Sequence, residues 1–300
     1  MNVEQYARMK NGAGFIAALD QSGGSTPKAL ALYGVDPSMY STEEEMFALM
    51  HEMRVRIITS PVFTNDRILA AILFEMTMER LVEGIPPAEY LWNRKKIVPF
   101  LKIDNGLLPI VNGVSLMKPI PELASRLDKA KKFGIFGSKE RSVIYEPNFH
   151  GISSCIDQQF EVADEVLDSD LIPIIEPEVD IKSNEKRYIE EILKGALMAG
   201  LDSLESTQNV MLKLTLPEED NFYSDVVHHP RVLRVVALSG GYSQEHADHK
   251  LAKNDGLIAS FSRALTENLK YQHTEQEFNS ALDQSIQNIF LASSLKLPHN

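Results

Sequence analysis

Short apolar runs alternate with stretches of helical periodicity along most of the chain. This alternation is typical of repeated βα units, and most of the runs are bounded on at least one side by Gly, Pro, Asn or Asp. The pattern predicts eight strands, over Gly14–Leu19, Ile68–Glu75, Ile97–Asp104, Ile135–Ile144, Leu171–Val179, Val210–Leu214, Val232–Gly240 and Leu257–Leu265.

The segments between the predicted strands carry helix signals. Thr42 with Glu45 has the form of a capping box, Ser243 precedes a further helix, and Thr274 with Glu277 opens a last one. Apolar residues recur at helical spacing in two sets, Ile156, Phe160, Ala163 and Leu167, and then Ile189, Leu193, Ala196 and Gly200. A helix over Val3–Lys10 is predicted to close the bottom of the fold.

Eight strands alternating with helices predict a (β/α)₈ TIM barrel, in which residues 1–300 form a single domain with an N-terminal and a C-terminal helix. Three hundred residues, 44% of them hydrophobic, suffice for one large core. An open doubly wound sheet is the alternative. The predicted strand Ile135–Ile144 fits the barrel least well, because Lys139, Glu140 and Arg141 interrupt a run that should be apolar.

Composition narrows the range of partners. The net charge is −12, so the chain is repelled over long range by nucleic acid and by anionic membranes, and we predict neither as a partner. No run approaches the ~20 apolar residues of a membrane span, and no signal peptide is visible. The single cysteine, Cys155, fits a reducing compartment, and we predict a cytoplasmic location. An anionic substrate would need a local basic cluster.

Charged residues recur near the carboxyl ends of the predicted strands, where barrel enzymes carry their chemistry. Residues i and i+2 of a strand face the same side, so the charged pairs on one strand share a face. A structural ion-pair network is the alternative for any one pair, but recurrence on six of eight strands favours a functional site. These residues are Asp20, Lys102, Asp104, Lys139, Arg141, Glu176, Glu178, Lys213 and Arg263.

Lys213 stands out because its strand neighbours are apolar on both sides. Burial and nearby cations favour the neutral form of a lysine, and a neutral amine attacks carbonyls to form a Schiff base. A lysine that extends its amine into water is the ordinary alternative for a strand lysine. The other charges on neighbouring strands argue for the nucleophile.

Two glycine-rich turns follow predicted strands and suggest phosphate sites. Ser22 and Ser25 lie in the turn after the first strand, and Ser239-Gly240-Gly241 follows the seventh. Glycines let backbone N–H groups approach an anion, and barrels commonly bind phosphate after strands seven and eight. Two such turns, each with a basic residue in reach, predict a substrate with two phosphates.

Metal chemistry finds little support in the sequence. None of the eight histidines falls at the carboxyl end of a predicted strand. His246 and His249 share a helix face at i, i+3 spacing, but two imidazoles do not complete a zinc site. We therefore predict no metal and no cofactor.

Taken together, the motifs resemble those of class I fructose-1,6-bisphosphate aldolases, in particular the short bacterial form. The resemblance covers Gly12 to Leu265, with the motifs in the family's order. They are Ala17-Ala18-Leu19-Asp20-Gln21-Ser22, Phe100-Leu101-Lys102-Ile103-Asp104, Ile175-Glu176-Pro177-Glu178, Met211-Leu212-Lys213, Leu238-Ser239-Gly240-Gly241 and Ser260-Phe261-Ser262-Arg263-Ala264.

The resemblance implies a role for each site residue. Lys213 would form the Schiff base, Glu176 would dehydrate the carbinolamine, and Asp20 would take the proton of the C4 hydroxyl. Lys139 would lie beside Lys213. The remaining implied residues complete the polar network (Glu178, Arg141 and Lys102), hold one phosphate (Ser239, Gly240, Gly241, Ser262 and Arg263) or hold the other phosphate (Ser22, Ser25 and Lys102).

The sequence departs from the animal members at several places. Gln21 stands where many members carry Glu, and Glu140 replaces an aromatic residue. The end, Leu295–Asn300, lacks the terminal tyrosine that assists proton transfer in vertebrate forms, and Tyr145 is a candidate for that task.

Two alternatives to fructose-1,6-bisphosphate cleavage stay open in the sequence. One is a Schiff-base aldolase for another phosphorylated sugar, such as tagatose-1,6-bisphosphate. The other is a barrel that serves as a binding or scaffold protein. The sequence leaves the oligomeric state open.

Overall fold

A computed structural model describes residues 1–297, so Pro298–Asn300 at the end of the sequence lie outside the described residues. Eight parallel strands follow one another around the sheet in chain order, and the last lies beside the first. They are β1 (Phe15–Leu19), β2 (Ile68–Leu73), β3 (Val98–Lys102), β4 (Gly137–Ile144), β5 (Ile172–Val179), β6 (Val210–Thr215), β7 (Val232–Leu238) and β8 (Leu257–Ala259). The (β/α)₈ barrel is confirmed, and the open doubly wound sheet is wrong.

Helices cover the outside of this barrel. Those of at least eight residues are α1 (Val3–Asn11), α2 (Thr26–Tyr33), α3 (Glu43–Thr59), α6 (Leu123–Lys132), α7 (Phe149–Asp168), α8 (Lys186–Ser203), α10 (Gln244–Ala252) and α12 (Glu275–Ser294). Shorter helical turns are α4 (Glu75–Met78), α5 (Pro87–Glu89), α9 (Ser224–Val227) and α11 (Arg263–Thr266). Thr42, Ser243 and Thr274 cap α3, α10 and α12 as the sequence predicts.

Four predicted strands extend too far at their carboxyl ends: the third stops at Lys102 instead of Asp104, the seventh at Leu238 instead of Gly240, and the second and eighth also stop early. The second strand stops at Leu73, and Glu75 opens α4 instead. The eighth strand stops at Ala259, and Arg263 is the first residue of α11 rather than a strand residue. Ser262 precedes α11. Serine is common just before a helix, because its side chain hydrogen-bonds to nearby backbone groups in non-helical conformations.

The barrel interior is apolar in its middle layer and charged in the next layer toward the carboxyl ends of the strands. Phe100, Ile174 and Met211 belong to one buried cluster inside the barrel. Each lies two residues before a charged residue on its strand (Lys102, Glu176 and Lys213), so the charged side chains form the next layer toward the carboxyl ends of the strands. Gly137 on β4 leaves the room for Phe100, because a Cβ there would come within 2.6 Å of the phenyl ring.

The opposite end of the barrel is closed by α1. Met9 on this helix is fully buried within the interior cluster. The guanidinium of Arg234, on β7, donates to the carbonyl oxygens of Met9, Lys10 and Gly12. These contacts confirm the predicted role of the N-terminal helix and leave the carboxyl ends of the strands as the open face.

Candidate active site

A chain of alternating charges crosses the barrel at the carboxyl ends of the strands. Lys213 Nζ lies 2.9 Å from Glu176 Oε1, and Lys139 Nζ lies 2.9 Å from Glu176 Oε2. The Lys139 amine also contacts Asp20 Oδ2 at 2.8 Å. Four residues from β6, β5, β4 and the end of β1 are thereby brought together, as the strand alternation predicts. The side chains of Lys139, Glu176 and Lys213 are at most 6% exposed, so the charges face one another rather than water.

The charges of this cluster determine its protonation. Burial alone would raise the pKa of Asp20, but Lys139, Lys213 and Lys102 outweigh burial and lower it. The pKa of Glu176 is lowered for the same reason, by Lys139, Lys213 and Arg141 acting against burial. Burial would lower the pKa of Lys139, but Asp20 and Glu176 raise it. Both carboxylates are therefore ionised beside a charged Lys139.

Two further ion pairs flank the cluster. Arg141 Nε donates to Glu178 Oε2 at 2.5 Å, and Lys102 Nζ donates to Asp104 Oδ1 at 2.7 Å. The predicted pairing of inward charges is therefore present on β3, β4 and β5. Arg141 stays charged, because burial, which would lower its pKa, is outweighed by Glu178 and Glu176.

Glu140 points away from this cluster. Its neighbours on the same face of β4 are Ser138 and Ser142, and Glu140 itself is fully buried. Burial, together with the nearby Asp104 carboxylate, raises its pKa well above the usual glutamate range. The three charges that interrupt the predicted fourth strand thus divide between two sides, two inward and one outward.

The glycine turn after β7 has the backbone geometry of a tight anion-binding loop. Gly240 has φ 58° and Gly241 has φ 118°, values that L side chains rarely adopt. Ser239 precedes them and Ser243 caps α10 behind them. The neighbouring β8 reaches the same level, since Ser260 N donates to Ala237 O at 2.8 Å. Ser262 follows Ser260 by two residues.

Arg263 is exposed at this face of the barrel. Within residues 1–297 its guanidinium makes neither an ion pair nor a hydrogen bond, so its donors are available to an anion. Its predicted place on a strand is wrong, because Arg263 opens α11.

A second cleft lies at the opposite side of the mouth. It has a volume of about 380 Å³, and its lining includes Ser22, Gly24, Lys102, Lys118 and Arg126. Ser25 contacts Ser22 rather than the cleft: its hydroxyl donates to Ser22 O and accepts from Ser22 N. Ser22 and Lys102 thus line the same cleft, which Glu75 and Asp104 also line, and Ser25 holds the loop that carries Ser22.

Sequence reasoning missed Lys118, Arg126 and Arg54 at the mouth. Lys118 follows a short hairpin whose strand Val114–Ser115 pairs antiparallel with β4. Arg126 donates to Ile103 O at 2.6 Å from α6. Arg54 lies on the buried face of α3, four residues after Met50, and an arginine at such a core position is the signal that identifies it.

Tyr145, the candidate for proton transfer at C3, follows β4 directly and is half-buried.

Across residues 1–297 no group of three or more His, Cys, Asp or Glu side chains is arranged to hold a metal ion. No helix in the same part of the chain has the length and apolar character needed to cross a membrane.

Known proteins are similar to this chain in sequence and in fold. The family model for fructose-bisphosphate aldolase class I matches residues 4–218. A curated fructose-bisphosphate aldolase class 1 from Synechocystis sp. is 60% identical over 292 residues, which are 97% of each chain. Another from Porphyromonas gingivalis is 53% identical over 293 residues, 98% of this chain and 99% of that protein.

Solved structures agree on the fold. A fructose-bisphosphate aldolase from Plasmodium falciparum superposes with a TM-score of 0.69 at 19% identity, covering 99% of this chain and 95% of that one. The family model covers most of the chain, and the matched residues include strands β1 to β6 of the candidate site. The chain belongs to the class I fructose-bisphosphate aldolase family.

Proposed function

We propose that this chain cleaves fructose-1,6-bisphosphate reversibly to dihydroxyacetone phosphate and glyceraldehyde-3-phosphate through a Schiff base on Lys213. The observation that carries the proposal is the contact of Glu176 with both Lys213 and Lys139, each at 2.9 Å. One carboxylate thereby holds the nucleophilic amine beside a second amine, Lys139, whose pKa is raised by Asp20 and Glu176. The family of the chain and the names of its relatives support the same reaction.

The first half of the reaction uses Lys213 and Glu176. Lys213 transfers one ammonium proton to the Glu176 carboxylate, and the freed amine then adds to the C2 carbonyl of the open-chain sugar and forms a carbinolamine. A proton delivered through Glu176 lets the hydroxyl leave as water, and a protonated imine remains. The imine nitrogen then lies where Glu176 can stabilise its positive charge.

Carbon–carbon cleavage uses Asp20. Its carboxylate removes the proton of the C4 hydroxyl, the C3–C4 bond breaks, and the bonding electrons move into the imine to give an enamine. Glyceraldehyde-3-phosphate leaves at this step. Protonation at C3 and hydrolysis of the imine release dihydroxyacetone phosphate and restore the Lys213 amine. We propose Tyr145 or a water molecule as the C3 proton carrier.

Two phosphate sites orient the sugar across this cluster. The turn Ser239-Gly240-Gly241 with Ser262 and Arg263 would hold one phosphate, and the cleft of Ser22 and Lys102 the other. Fixing both ends places the scissile bond against Lys213, which is an orientation effect. The phosphates also explain why an acidic chain carries exposed or free cations at this face.

The epimer choice is part of the proposal. We propose fructose-1,6-bisphosphate over tagatose-1,6-bisphosphate because the curated relatives carry the fructose name. Comparing kcat/KM for the two sugars decides between them.

We also propose a cytoplasmic location, because the single cysteine, Cys155, is buried and unpaired, which fits a reducing compartment.

A cleavage assay tests the reaction. The wild type should cleave fructose-1,6-bisphosphate, and activity should persist with a chelator present. Lys213→Met should abolish cleavage, whereas Lys132→Met, an exposed lysine on α6, should leave it unchanged. Loss of wild-type activity with the chelator, or full activity in Lys213→Met, would contradict the proposal.

A further inference from the structure

A hydrogen-bonded chain that no proposed step uses joins two loops of the barrel mouth. Gln21 lies between Asp20 and Ser22 in the loop after β1. Its side-chain Nε2 donates to Ser262 Oγ at 2.7 Å. Because Ser262 precedes Arg263, this bond connects the loop of one phosphate site to the loop of the other.

Arg54 holds Gln21 from behind. One terminal nitrogen of its guanidinium, Nη2, donates to the backbone oxygen of Gln21 and, at 3.4 Å, to Gln21 Oε1. The other, Nη1, donates to Thr77 Oγ1 at 2.7 Å. The chain Thr77–Arg54–Gln21–Ser262 therefore runs from α4 through α3 to the loops after β1 and β8, and we call it the mouth strut.

The charge of Arg54 makes this arrangement unusual. Arg54 is 1% exposed, and among residues 1–297 no carboxylate lies within ion-pair distance of it. Burial lowers its pKa to about 10, although the more distant Asp20 charge opposes the shift. A buried guanidinium without a paired carboxylate is costly, and the oxygens it contacts are neutral. The planar guanidinium donates in two fixed directions, to Thr77 and to Gln21, which a smaller or an apolar side chain could not do.

We propose that Arg54 and Gln21 are positioning residues that set the separation of the two phosphate-binding loops. The inference rests on the proposed function, because it assumes that Ser22 and Ser262–Arg263 bind opposite ends of one bisphosphate. Asp20 is held independently by its ion pair with Lys139. Loss of the strut should therefore disturb phosphate spacing more than the chemistry at C4.

Substrates with one and two phosphates separate these effects. Gln21→Leu loses both side-chain hydrogen bonds and keeps the backbone bond to Arg54, whereas Gln21→Glu keeps an acceptor for Arg54 and can accept from the Ser262 hydroxyl. Gln287→Leu is the matched control, because Gln287 Oε1 accepts from Arg67 Nη1 at 3.0 Å near the start of β2, at the far end of the barrel. The measurement is kcat/KM for fructose-1,6-bisphosphate and for fructose 1-phosphate.

Gln21→Leu should lower the bisphosphate-to-monophosphate ratio of kcat/KM by about tenfold, mainly through KM, since a small misplacement costs orientation. Gln21→Glu and Gln287→Leu should keep the wild-type ratio. If Gln21→Leu does not fold, Arg54→Lys, which keeps the charge but loses the planar guanidinium, should show the same fall.

An unchanged ratio in a folded Gln21→Leu, or equal losses on both substrates, overturns the inference alone. A wild type that cleaves neither substrate overturns the proposed function and the inference with it.

Discussion

Glu176 shows how single residues determine the site. One carboxylate contacts the amines of Lys213 and Lys139, so the nucleophile is held by a group that also moves protons. The sequence predicted this grouping, because strand alternation places inward charges at the same level of the barrel. The same alternation places Glu140 on the outward face of the strand, but it does not predict that the carboxyl group is fully buried there.

The lowered pKa of Asp20 predicts how the free energy of unfolding changes in acid. Folding lowers its pKa, so its contribution to stability is present above the unfolded aspartate pKa of about 3.9 and is lost as the pH falls through the folded pKa. Between about pH 6 and pH 3, the free energy of unfolding should fall more for the wild type than for Asp20→Asn. Urea unfolding at both pH values measures it.

Asp128→Asn, at an exposed position on α6, serves as the control and should follow the wild type. Identical slopes for the wild type and Asp20→Asn would show that Asp20 gains nothing from its lysine neighbours on folding.

At the scale of elements, β4 packs against α7 through a layer of buried polar groups. Glu140, Ser138 and Ser142 share the outward face of the strand, and Cys155 and Gln159 are buried on the facing helix. Folding raises the pKa of Glu140, so the protonated form is the favoured one in this layer. A group of this kind stabilises the fold below the unfolded glutamate pKa of about 4.3 and loses that contribution as the pH rises through the folded pKa.

Glu140→Gln should therefore become more stable relative to the wild type as the pH rises from about 5 to about 8, because glutamine has no proton to lose. Thermal or urea unfolding at both pH values measures the difference. Glu245→Gln, an exposed position on α10, should show no such trend. A constant difference between Glu140→Gln and the wild type would contradict a protonated Glu140.

Element ends were the weakest predictions from the sequence, and the cause is local. The run Leu257–Leu265 is apolar enough to read as one strand, but Ser260 and Ser262 interrupt its backbone pattern and α11 begins at Arg263. Helix starts were predicted better, since capping residues such as Thr42 and Thr274 act within one turn. The order of the strands followed from the alternation of apolar runs with helical segments along the chain.

At the scale of the whole molecule, an acidic chain concentrates cations at one face of the barrel. Lys118 reaches the cleft of Ser22 and Lys102 from the hairpin between β3 and β4, a contact that sequence separation hides. Within residues 1–297 its amine has no carboxylate partner, unlike that of Lys102. The mouth strut of Arg54 and Gln21 was equally beyond the sequence, because it depends on which loops meet.

Lys118→Ala should raise KM for fructose-1,6-bisphosphate about tenfold, the cost of a lost hydrogen bond to a charged group, and leave KM for fructose 1-phosphate near the wild-type value. Steady-state kinetics on both sugars gives the answer. Lys132→Ala, on the opposite face of the barrel, is the matched loss of one positive charge. Equal KM values for Lys118→Ala and Lys132→Ala would remove Lys118 from the phosphate site.

A Schiff base on Lys213 is the intermediate on which the proposed reaction depends, and trapping it is the most direct measurement. Incubation with fructose-1,6-bisphosphate and borohydride, followed by peptide mapping, should yield a reduced adduct on Lys213, with Lys139 and Lys102 unmodified. Lys213→Met should give no adduct. An adduct on another lysine, or none in an enzyme that cleaves the sugar, would contradict the account.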